Sequence, residues 1–109
     1  MSFVTTHVLN TGAGEPARGV PVVLKFRRGS SEAWQILGQG ITDATGRLTD
    51  LMPQDQVAQT GQYCLTFDAT SCSRFFPEIS VCFVVLDPDK QYHIPLLLND
   101  FGYTTYRGA

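Results

Sequence analysis

The chain has 109 residues, 43% of them hydrophobic and 17% charged, and a formal net charge of −2, enough for one domain with a core and too little for two. Its eight Lys and Arg residues are scattered, with Arg27-Arg28 the sole adjacent pair, so no basic stripe for nucleic acid is present. The longest apolar runs, such as 81–86, have strand length and fall far short of a membrane span.

In chain order, β-type runs alternate with turn signals from end to end. Phe3 to Leu9 reads as a first strand, ended by Asn10-Thr11-Gly12-Ala13-Gly14. Val20 to Phe26 reads as the next, with Arg27-Arg28-Gly29-Ser30-Ser31 as a hairpin loop into Ala33 to Ile41. Asp43-Ala44-Thr45-Gly46 is a tight turn before Arg47 and Leu48. The polar stretch 53–61 suits a loop or one helical turn, and Gln62 to Phe67 resumes the strand pattern. Between Asp68 and Arg74 there is room for one short helix with Asp68 or Thr70 as N-cap, closed by Phe75-Phe76-Pro77. Glu78 to Leu86, a turn over 87–90 and Gln91 to Leu98 read as a β-hairpin across the core, with Pro95 acceptable at an edge or bulge. Asn99-Asp100-Phe101-Gly102 turns the chain again before a terminal strand, Tyr103 to Tyr106. About seven or eight strands with at most one short helix make an all-β, two-sheet sandwich over residues 1–109.

Three cysteines, Cys64, Cys72 and Cys82, lack metal-ligand spacing, and their odd number suits reduced thiols. Met1 to His7 has neither a basic nor an apolar leader region, so no secretory signal is read and an intracellular protein is expected.

Chemistry has few candidates. The two histidines, His7 and His93, lie near opposite ends of the chain, both inside expected strands. Histidine titrates near neutral pH, so two on facing strands could activate a water. Alternation places His7 on the face of Thr5 and Leu9, and His93 on that of Gln91 and Pro95. Taken alone, a strand histidine is more often a structural residue. Zinc would need a third ligand, and none stands at a recognisable spacing. Arg47, after a glycine turn, could hold a planar, electron-rich ligand by a two-pronged hydrogen bond, or simply be an exposed hairpin cation. The tail Tyr106-Arg107-Gly108-Ala109 is polar and partly aromatic, and such tails are usually frayed and without function. No Gly-x-Ser-x-Gly, phosphate loop or Cys-His neighbour pair occurs.

Three separated segments resemble one family. Thr6-His7-Val8-Leu9-Asn10-Thr11 with Gly14-Glu15-Pro16-Ala17-Arg18-Gly19-Val20-Pro21-Val22 resembles the first two strands of the transthyretin and 5-hydroxyisourate hydrolase family. Thr45-Gly46-Arg47 resembles its turn with a substrate-site arginine. His93-Ile94-Pro95-Leu96-Leu97-Leu98 through Phe101-Gly102-Tyr103-Thr104-Thr105-Tyr106-Arg107-Gly108 resembles the hydrolase signature, which ends Tyr-Arg-Gly-Ser. The fold is common to hydrolases and thyroid-hormone carriers and does not choose between them. The hydrolases have the histidines matching His7 and His93, the arginine matching Arg47 and the Tyr-Arg-Gly tail, which the carriers lack.

The resemblance therefore implies a cofactor-free hydrolase that opens the ring of 5-hydroxyisourate in urate breakdown, with a thyroid-hormone or other aromatic carrier as the alternative. It implies catalytic roles for His7, His93, Arg47 and Tyr106, and substrate contacts from His7, Arg47, Tyr106, Arg107, Gly108 and Ala109. It also implies a homotetramer whose dimers meet at a channel lined by these residues, and a cytoplasmic or peroxisomal address, although the Arg107-Gly108-Ala109 end is not a Ser-Lys-Leu signal. Ala109 stands where the family has serine, which removes one hydroxyl from the expected site.

Overall fold

Strand β1 (Val4–Asn10) buries Val4, Thr6 and Val8, while His7 on the alternate face stays partly exposed. This period-two pattern recurs in β3 (Pro21–Arg27), which buries Val22, Leu24 and Phe26, and in β8 (Tyr92–Leu98), which buries Ile94, Leu96 and Leu98. Each strand has one apolar face, and two such sheets packed face to face remove both from water. The other strands are β2 (Glu15–Pro16), β4 (Gln35–Ile41), β5 (Arg47–Leu48), β6 (Gly61–Asp68), β7 (Glu78–Val85) and β9 (Tyr103–Thr105). The computed structural model describes residues 2–53 and 55–108, and among them there is no helix.

One sheet runs β2-β1-β8-β9, with β5 also paired to β1, and the other runs β4-β3-β6-β7. The β1–β8 pairing is parallel, with Val4 opposite Tyr92, Thr5 opposite His93 and His7 opposite Pro95. All the other ladders are antiparallel. Between the sheets lie the inward residues of β1, β3 and β8 with Tyr63, Leu65 and Phe67 of β6 and Ile79 and Val85 of β7. Cys64, Cys72 and Cys82 are free thiols.

Three expectations need correction. The hairpin expected between 78–86 and 91–98 does not form: β7 pairs with β6, β8 pairs with β1, and the turn between them crosses from one sheet to the other. Tyr92 pins that crossing by donating its hydroxyl to the Asp87 carbonyl at 2.9 Å.

Pro95 is at neither an edge nor a bulge but inside β8, between β1 and β9. Tyr92 N donates to Phe3 O on the β1 side, whereas His93 O accepts from Gly108 N on the other. By alternation the ring nitrogen of Pro95 therefore faces the tail. The continuous ladder ends at the Leu96–Thr105 pair, and pairing returns as a bridge between His93 and Gly108. Proline thus sits where the missing donor costs one rung of a short outer strand.

Nor do 68–74 form a helix. Asp68 does cap a turn, its Oδ1 accepting from Thr70 N and Oγ1, and Ala69 O accepts from Cys72 and Ser73 N. The next donors are then drawn to a different segment: Arg74 N donates to Asp100 Oδ1 and Phe75 N to Asp100 O. Those tertiary bonds replace the ones a second helical turn would need.

Candidate active site on the outer face of the β1–β8 sheet

The chain's two histidines come together through strand pairing. Thr5, opposite His93, and His7, opposite Pro95, lie two residues apart on one strand, so His7 and His93 are diagonal neighbours on the sheet face turned away from the core. Arg47 joins them because β5 pairs antiparallel with β1, setting Arg47 directly opposite His7.

The turn 43–46 holds this third element in place. Asp43 Oδ1 accepts from Thr45 N at 2.8 Å, Thr45 Oγ1 at 2.6 Å and Arg47 N at 3.1 Å. The Thr45 hydroxyl first, then the two amides, hold the Asp43 carboxyl below its usual pKa, with the Arg47 charge a smaller cause. Gly46 has φ of +78°, and its carbonyl accepts from Val8 N at 2.7 Å. A β-carbon at Gly46 would stand 2.4 Å from the Val8 carbonyl oxygen. Gly46→Ala should therefore destabilise the fold by about 2–4 kcal/mol through left-handed strain and overpacking, with Tm lower by roughly 10 °C or more. An unchanged melting curve would contradict this account of the turn.

The same turn orients His7. Its Nε2 lies 2.9 Å from the Thr45 carbonyl, and a carbonyl only accepts. Nε2 therefore carries the hydrogen, and Nδ1 is the nitrogen left for other work. His93 is more enclosed, with Nδ1 2.9 Å from Thr5 Oγ1. Burial first, then the charges of His7 and Arg47, push the His93 pKa below the ordinary histidine value. Burial and the positive charge nearby disfavour the imidazolium and favour the neutral ring.

The tail lies along β8. Gly108 N donates to His93 O at 2.7 Å, and a β-carbon at Gly108 would stand 2.7 Å from His93 Cδ2, so only glycine lets the chain lie this close to the ring. The register joining Leu96 with Thr105 and His93 with Gly108 puts Tyr106 opposite Pro95 and on the histidine face, 56% exposed. Arg107 alternates away, its guanidinium carbon 4.4 Å above the Tyr92 ring. Thus His7, His93, Arg47, Tyr106 and Gly108 are brought together, whereas the Arg107 side chain is held elsewhere, and Ala109 lies outside the described residues.

Sequence reasoning did not pick out Thr5, Asp43 or Thr45 as site neighbours. The Asp-x-Thr-Gly turn signal was visible at 43–46, but the contact with His7 depends on β5 pairing with β1. Among the described residues no three His, Cys, Asp or Glu side chains converge as metal ligands. A surface hollow of about 680 Å³ beside Gln59, Gln62, Val84 and Leu86 includes no histidine or carboxylate in its lining. The two histidines lie instead on an open sheet face, where Arg47 and Tyr106 are exposed.

Residues 4–108 match the HIUase/Transthyretin family. The chain is 38% identical over 116 residues to a 5-hydroxyisourate hydrolase of Salmonella typhimurium, covering 99% of this chain and 82% of that protein. It is similar in structure to a 5-hydroxyisourate hydrolase of Klebsiella pneumoniae, with a TM-score of 0.76 and 30% identity over 97% of this chain and 98% of that one. It is also similar to sea bream transthyretin in complex with thyroxine, with a TM-score of 0.84 and 26% identity over 97% of this chain and 94% of that one.

Proposed function

The chain belongs to the HIUase/transthyretin family, and from that premise we propose that it hydrolyses 5-hydroxyisourate in urate degradation. Fold likeness extends to a hormone-binding relative as well as to hydrolases, so the reading rests on the site. The observation that carries it is the placement of His93 beside a second histidine and an arginine on one sheet face, where burial disfavours its charged form. A carrier moves no proton and has no need of a base beside a second histidine and an arginine.

In the reaction, water adds to a ring carbonyl of 5-hydroxyisourate and the adjacent C–N bond breaks, giving 2-oxo-4-hydroxy-4-carboxy-5-ureidoimidazoline. His93 takes a proton from the attacking water. Arg47 anchors the ring and steadies the negative charge that develops on the carbonyl oxygen. His7, with Nε2–H committed to the Thr45 carbonyl, orients the water and, when protonated, delivers a proton from Nδ1 to the leaving nitrogen. The proton held by His93 then replaces the one His7 has given. Tyr106 offers a hydroxyl from the same face. No metal or organic cofactor enters these steps.

Assembly as a homotetramer, implied by the family resemblance, would set this open face against that of another copy and close it into a channel. Size-exclusion chromatography should then give a species four times the chain mass, and a stable monomer would remove that part of the reading.

Activity is tested by following the ultraviolet decay of 5-hydroxyisourate freshly made from urate. The protein should accelerate that decay at catalytic concentration; equal rates with and without it would sink the proposal. Likeness to the thyroxine-bound relative makes a carrier the competing reading. Tight thyroxine binding with no effect on the decay would favour it.

A further inference from the structure

We propose that Thr5 is a positioning residue for His93: its hydroxyl accepts the Nδ1–H of the ring, fixing the tautomer that leaves Nε2 as the basic nitrogen on the open face. This deepens the hydrolase reading and rests on it for the role given to His93. Thr5 and His93 are directly paired across β1 and β8. Thr5 is 5% exposed, and its hydroxyl lies 2.9 Å from His93 Nδ1. The next residue, Thr6, points the other way and donates to the Ile94 carbonyl at 2.6 Å, a bond internal to the sheet. Of the two adjacent threonines, only Thr5 serves a titratable ring.

Two features make Thr5 suited to the task. A β-branched side chain in a strand has few rotamers, so its oxygen is held in place before substrate arrives. Its burial leaves little access for a water to substitute for it.

The direction of the bond follows from what His93 must do. With the hydroxyl accepting, Nδ1–H serves both the neutral ring and the imidazolium, and Nε2 is free to take and release a proton. With the hydroxyl donating to Nδ1, Nε2 already carries the hydrogen and cannot act as a base. Catalytic histidines often have a carboxylate in this position, which raises their basicity. A neutral hydroxyl orients the ring and favours the imidazolium far less than a carboxylate would. The groups facing the ring from neighbouring elements are the titratable His7 on β1 and the charged Arg47 on β5. On the tail, Tyr106 stands opposite Pro95, and the Arg107 guanidinium is drawn over Tyr92.

The test has two arms on the intact protein. Long-range ¹H–¹⁵N NMR reads the tautomer of each histidine directly, and with only two histidines in the chain a His7→Gln variant assigns the signals. Neutral His93 should carry its hydrogen on Nδ1; a hydrogen on Nε2 would overturn the proposal whatever the activity. In the second arm, Thr5→Val should lower kcat/KM by about 10-fold with KM changed less than about threefold. It should shift neutral His93 toward the Nε2–H tautomer and move the acid limb of the pH profile to lower pH, because the imidazolium has lost an acceptor. Thr5→Ser should restore both the rate and the limb. A Thr5→Val protein with unmoved ring signals and pH profile would show that the threonine is only structural. If Thr5→Val fails to fold, the tautomer in the unmodified and Thr5→Ser proteins decides. If the unmodified protein does not hydrolyse 5-hydroxyisourate, the function reading fails while the ring measurement still judges the role of Thr5.

Discussion

Changing His93 to alanine lowers kcat/KM for 5-hydroxyisourate by about 10²- to 10⁴-fold, the usual contribution of a positioned base. The pH profile should identify the same residue. Burial and the charges of His7 and Arg47 hold the His93 pKa below its ordinary value, so the acid limb of kcat/KM in the unmodified protein lies below pH about 6.5. The limb should vanish in His93→Ala. The shift also makes folding pH-dependent: as pH falls below about 6.5 the unfolded chain takes up the proton first, and this contribution to stability is lost. His93→Ala leaves the enclosed Thr5 hydroxyl without its ring partner, at a cost of roughly 1–3 kcal/mol. His93→Gln, which can still hydrogen-bond, separates that loss from catalysis. Circular dichroism and Tm should show both variants folded, and a His93→Ala protein keeping more than half the activity would remove His93 from the mechanism.

Much of the fold was legible because alternation is a local property. The runs around Val4, Leu24, Leu65 and Leu96 each announce one buried face, and the Arg27–Ser31 loop does join paired strands β3 and β4. What alternation does not encode is the partner. Glu78–Val85 and Tyr92–Leu98 both present apolar faces and lie close in sequence, so they read as a hairpin. In the sandwich those faces oppose each other across the core from different sheets. The two-residue strands β2 and β5 are too short to show any period. The absent helix after Asp68 was decided by Asp100, 26 residues from Arg74.

The site divides in the same way. Histidine rarity and strand parity singled out His7 and His93, and the glycine turn singled out Arg47. The contact between Thr5 and His93 spans 88 residues and exists only because the first strand runs parallel to β8, which no local pattern could announce. Arg107 was expected at the site because it belongs to the tail motif Tyr106-Arg107-Gly108 that carries the family resemblance. In a strand-like tail the middle residue of three must face the other way, and there the Tyr92 ring receives its guanidinium.

Arg47→Gln is the second large effect, a fall of about 10²- to 10³-fold in kcat, as expected for loss of a donor aimed at a developing oxyanion. Among the described residues no hydrogen bond holds the Arg47 side chain, which is exposed, while its backbone is fixed by Asp43 and by pairing with His7. Its fork is therefore placed by the main chain yet free to meet a ligand. Removing the guanidinium should move stability by no more than about 0.5 kcal/mol. The kinetic pattern separates two roles. If Arg47 only anchors the ring, KM rises and kcat holds; if it stabilises the oxyanion, kcat and kcat/KM fall together. Arg47→Lys keeps the charge but loses the planar two-pronged donor, so it should recover only part of the rate. Full recovery by lysine would assign the effect to charge alone, and an unchanged kcat in Arg47→Gln would take the oxyanion away from this residue.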